Sequence, residues 1–75
     1  MQNSEIESAL QPLNESLIHL VHGVSNLTQE KDILCIMKSM AHIRTRALET
    51  GWDTECECEM DNIHAIQKRL DKTRE

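Results

Sequence analysis

The chain has 75 residues, a net charge of −5, one aromatic side chain (Trp52) and no Phe or Tyr. That length allows one domain at most and little concave surface, and the mixed charge argues against a purely nucleic-acid-binding protein. With Gly only at 23 and 51 and Pro only at 12, few turns are possible, and the Leu, Ile, Val, Met and Ala that remain suit helices better than strands.

The first predicted helix runs from about Glu5 to Ser25. Ser4 with Glu7 forms a capping-box pattern at its start. Ile6, Leu10, Leu13, Leu17, Leu20, Val24 and Leu27 then follow alternating steps of four and three, the heptad spacing that turns one stripe toward a partner helix. Ala9, Ser16 and Gly23 sit seven apart beside that seam, where a second backbone can approach closely. Pro12 removes one intrahelical hydrogen bond and predicts either a kink or a helix that begins near Leu10–Gln11.

A turn over residues 25–28 follows, with Asn26 or Thr28 as the next N-cap. The second predicted helix spans about Gln29 to Thr50 and stops at Gly51. Ile33, Ile36, Met40, Ile43 and Ala47 form its seam, and Leu34, Met37, Ala41 and Leu48 lie alongside. An apolar face this wide can touch two neighbours. The third helix, about 54–72, is capped by Asp53 or by a Thr54/Glu57 box, with Trp52, Cys56, Met60, Ile63, Ile66 and Leu70 as its buried side. Its acids crowd the first turns and its Lys and Arg the last, as the helix dipole favours.

Polar clusters give weak chemical signals. Cys56 and Cys58 lie two apart, about 200° apart around a helix, so they cannot share a metal from one helix, even with His64 nearby. His19 and His22 share a face, but no thiol or carboxylate accompanies them there, and solvated histidines are expected. Cys35 and His42 stand two turns apart, beyond hydrogen-bond reach, and no phosphate loop or nucleophile motif occurs. The residues predict no catalytic site, no metal and no cofactor. An odd cysteine count, no membrane-length apolar run and an N-terminus without a secretory pattern predict a cytoplasmic protein with reduced thiols.

The expected architecture is all-α: an antiparallel helical hairpin plus a third helix, a three-helix bundle over residues 1–75. Closure within one chain competes with a homodimer held by Ile6, Leu10, Leu13, Leu17, Leu20 and Val24. The second helix's extra stripe, and a core that at this size supplies only about 3–5 kcal/mol, favour the dimer. In architecture alone the arrangement is similar to the helical-hairpin dimers of small plasmid and phage regulators, an analogy carried by no motif.

The expected function is that of a small acidic regulatory or inhibitory adaptor, of the phage or mobile-element accessory type, which binds a larger cytoplasmic protein. Leu34 and Met37 supply the apolar contact, and Glu55, Glu57 and Glu59 the charged one. Two other classes compete. A nucleic-acid-binding hairpin would use Lys31, Lys38 and Arg46 near His42, although the chain lacks aromatics for base stacking. A metal or redox sensor would use the cysteines.

Overall fold

The computed structural model describes residues 2–73, with the side chain of Thr73 excluded. Those residues form three helices and no strand: α1 (Asn3–His22), α2 (Leu27–Thr50) and α3 (Thr54–Thr73). The seven-residue spacing on each helix puts one apolar stripe inward, and the three stripes meet as one core. Ile6, Leu10, Leu13 and Leu20 come from α1, Ile33, Ile36, Met40, Ile43 and Ala47 from α2, and Cys56, Ile63 and Leu70 from α3. Leu17, Val24, Trp52, Met60 and Ile66 pack against that core while partly exposed.

The chain runs up, down and up again, with α2 as the spine. The longest dimension, 37 Å, matches the 24 residues of α2 at about 1.5 Å per residue. α1 and α3 pack chiefly on α2 and meet each other only slightly. Along their shared edge runs a cleft lined by Ser16, His19, Leu20, Gln67 and Asp71, and Gln67 Nε2 is buried without a hydrogen-bond partner among the described residues. Ser16, from the edge of small residues on α1, thus faces α3 of the same chain.

Several local expectations are corrected. α1 starts at Asn3, with Gln2 as an N-cap that makes no side-chain bond, so Ser4 lies inside the helix and the Ser4/Glu7 box does not form. Glu7 is instead drawn across to Arg44 of α2 at 2.8 Å. The helix also runs through Pro12, so the late start is excluded. It ends at His22, short of Ser25, because the Gly23 N–H closes on the Leu20 carbonyl at 3.0 Å. Leu27 opens α2 and does not extend the α1 seam.

Asn26, of the two candidate caps, accepts from the Gln29 N–H at 2.9 Å. The Gln29 side-chain oxygen Oε1 returns across the turn to accept from the Ser25 N–H at 2.8 Å. At the second turn Gly51 adopts φ 84°, a left-handed conformation suited to glycine, and its N–H bonds the Ala47 carbonyl at 3.0 Å. A Cβ there would meet nothing within 4 Å, so the requirement is one of backbone conformation alone. Asp53 caps α3 by accepting from the Cys56 N–H at 3.2 Å. The Thr54/Glu57 box is absent, since Glu57 accepts from Trp52 Nε1 at 2.5 Å.

Candidate protein-binding face

The core consumes the leucine seam. Ile6, Leu10, Leu13 and Leu20 are 5% exposed or less, covered by the chain's own helices, and Leu17 and Val24 are half-buried in the same core. A second copy cannot reach Ile6, Leu10, Leu13 or Leu20 without opening the bundle. The periodicity correctly marked a buried stripe, but its cover comes from the same chain.

A second apolar surface stays outside. Ile18, Val21, Leu27, Leu34, Met37 and Leu48 are between 49% and 65% exposed. Leu27, Leu34, Ala41 and Leu48 are spaced by seven along α2, so the row slips only about 20° per step. Met37 borders the row on the side toward α1. Ile18 and Val21 lie on the flank of α1 that also carries Glu7 and Asn14, the two residues that reach Arg44 of α2 at 2.8 and 3.4 Å. At one end of this face Val21, Val24, Glu30, Ile33 and Leu34 line an open hollow. The exposed apolar residues of α1 and α2 thus meet at this hollow, where Val21 and Leu34 lie together.

The predicted charged sites fare differently. Arg46 is withdrawn from the basic stripe: it bonds Asp53 at 2.8 Å and Glu55 at 3.0 Å across the α2–α3 turn. Lys31 and Lys38 are exposed. Of the acidic trio, Glu55 bonds Arg46 and Glu57 accepts from Trp52 while both stay exposed, and Glu59 is half-buried. The Arg46 hydrogen bond holds the Asp53 carboxyl well below the usual carboxylate range, at about 2; desolvation opposes this and the Cys56 N–H adds to it. Arg46 and Arg69 are raised chiefly by their hydrogen bonds to Asp53 and Asp32.

The cysteines lie apart, Cys56 buried and Cys35 and Cys58 exposed, all as free thiols. Among the described residues no three His, Cys, Asp or Glu side chains converge as metal ligands, and no helix is long and apolar enough to cross a membrane.

Sequence reasoning found Leu34 and Met37 but missed Ile18, Val21 and Leu27 as surface residues. Ile18 and Val21 are three apart and off the seam, which was the available signal. Leu27 continues the α1 spacing across the turn, and only the turn geometry assigns it to α2. Comparison with known protein families, with curated proteins and with solved structures gives no match for this chain.

Proposed function

We propose that the protein is a small acidic regulatory adaptor that binds a helix of a larger protein along the outer face of its α1–α2 hairpin. One observation carries the reading: six large apolar side chains stay about half exposed or more on a chain that has already filled its core. Large apolar side chains gathered on an exposed face, unlike ones scattered singly, mark interaction sites. A groove between two antiparallel helices suits an amphipathic helix that inserts anchors at i, i+3, i+4 and i+7. Pairing of two copies, in this reading, uses the same outer face in place of the leucine seam.

Placing a photo-crosslinking amino acid at Met37 in one variant and at Ala65 of α3 in another tests the reading in the host's cell extract. The expected result is one protein captured from Met37, not from Ala65, and lost when Leu34→Glu is added. Equal capture from both positions, or capture indifferent to Leu34→Glu, defeats it.

A second reading rests on the Arg69–Asp32 bond at 2.6 Å, which fastens the basic end of α3 to the start of α2. Lys68, Arg69 and Lys72 then form a basic end of α3 that could contact phosphates. A binding constant for RNA or DNA that falls steeply with added salt, and falls further on Lys68→Glu, would favour it.

A further inference from the structure

The edge between α1 and α3 departs from the pattern of the rest of the core. Gln67 follows Met60 by seven residues on α3, so heptad spacing asks for an apolar side chain at 67. Met60 packs against the core, whereas Gln67 brings an amide to the same edge. Across from it, Ser16 of α1 is too small to fill the space. Since α1 and α3 meet only slightly, a cleft of about 190 Å3 remains between Ser16, His19, Leu20, Gln67 and Asp71.

The polar groups of this cleft do not satisfy one another. Gln67 Nε2 is buried, and among the described residues it has no acceptor. Nor, among those residues, does any hydrogen bond or ion pair join Ser16, His19, Gln67 and Asp71 to each other. A buried donor that has given up water and gained no acceptor is costly, which is why such groups are few in folded proteins. Methionine at 67, as at 60, would remove that cost, so the amide weakens the bundle on its own.

The set also has a polarity. Gln67 and His19 supply N–H donors, and the Ser16 hydroxyl donates or accepts, whereas the Asp71 carboxylate only accepts. Leu20 adds one apolar wall. A ligand that answers all of them carries a carboxylate at one end, a cationic donor at the other and a short apolar part between. The 190 Å3 equals about six water molecules at roughly 30 Å3 each, room for a small amino acid and too little for a nucleotide.

We propose that this cleft binds a small free amino acid with an apolar side chain, its carboxylate on Gln67 and Ser16 and its ammonium on Asp71. A slight widening of the loosely packed α1–α3 edge admits the carboxylate to Nε2. The ion pairs Glu7–Arg44 and Asp32–Arg69, which fasten α1 and α3 to α2, stay in place. Binding satisfies the donor that the bundle alone leaves unpaired. It also ties α1 to α3, between which no ion pair runs among the described residues. The cleft faces α3 and not the outer face of the α1–α2 hairpin, so its test is separate from that of the adaptor reading.

Heteronuclear NMR titration of the full chain with L-alanine and L-valine tests the site. The expected shifts saturate in the millimolar range, with the Gln67 side-chain amide and the backbone signals of Ser16, His19 and Asp71 moving together. Gln67→Met and Asp71→Asn, each checked for unchanged helix content, should weaken binding about tenfold, the worth of one hydrogen bond to a charged group. Acetate and methylamine, each offering one end of the zwitterion, should bind at least about tenfold more weakly than alanine. Absence of saturable shifts with both amino acids overturns the inference. So does acetate or methylamine binding as tightly as alanine, or binding indifferent to either Gln67→Met or Asp71→Asn.

Discussion

Asp53 accepts the Arg46 guanidinium at 2.8 Å and caps α3 through the Cys56 N–H, so both contacts favour its ionised form. Its folded pKa of about 2 lies below the ordinary 3.8. A depressed carboxylate contributes stability that is full above about pH 4 and vanishes as pH falls through about 2. The pair is a third exposed, so solvent screening keeps the effect modest. Asp53→Asn keeps an oxygen for the cap and loses the charge. Urea unfolding at a series of pH values should therefore show wild type more stable at neutral pH, with the two curves converging between about pH 4 and pH 2; a gap constant with pH would show that the ion pair contributes nothing. The thiols separate as sharply. Cys35 and Cys58 are exposed and Cys56 is 0% exposed. A thiol reagent should consume two groups at once and the third only as the bundle opens, so an immediate count of three would contradict the packing of α3.

At the level of the helices, local grammar predicted the middles better than the ends. The steps of three and four in α1 and α2 placed the core stripes, because burial of a periodic face dominates helix position. The Ser4/Glu7 and Thr54/Glu57 boxes failed because each helix takes its N-cap earlier, Gln2 for α1 and Asp53 for α3, and each glutamate has another partner. Glu7 goes to Arg44, 37 residues away, and Glu57 goes to Trp52. A capping box is worth about 1 kcal/mol, so in α1 a charged partner supplied by the fold is enough to draw Glu7 away. No window of local sequence contains Arg44 and Glu7 together, which is why that part was illegible. Pro12 poses the opposite case, since its cost is local and the fold tolerates it. It is exposed on α1, and it leaves the carbonyl of Ser8 without an intrahelical donor. Pro12→Ala restores that bond and should raise unfolding stability by about 1–3 kcal/mol, measured by chemical denaturation. No gain would mean that water or local bending already satisfies the carbonyl.

Considered as a whole molecule, α2 serves two surfaces at once, and the sequence showed both without saying which was covered. Ile33, Ile36, Met40, Ile43 and Ala47 hold α1 and α3 in place, while Leu27, Leu34, Ala41 and Leu48 look outward roughly a third of a turn or more away. Heptad spacing signals burial but not the identity of the cover, and that ambiguity is why the α1 seam read as a dimer contact. Substitutions on the two sides of α2 should behave as different classes of change. Ile43 is 0% exposed, and Ile43→Ala should cost about 2–5 kcal/mol through lost burial and the cavity left behind. A chain of this size has only about 4–11 kcal/mol in total, so that variant should melt far below wild type or fail to fold. Leu34 is 54% exposed, and in the isolated bundle Leu34→Ala should shift stability by about 0.5 kcal/mol or less. Thermal melts followed by circular dichroism at low micromolar concentration measure both. If Leu34→Ala instead matched Ile43→Ala, the outer row would belong to an obligate core, and the bundle would not stand alone as a folded unit.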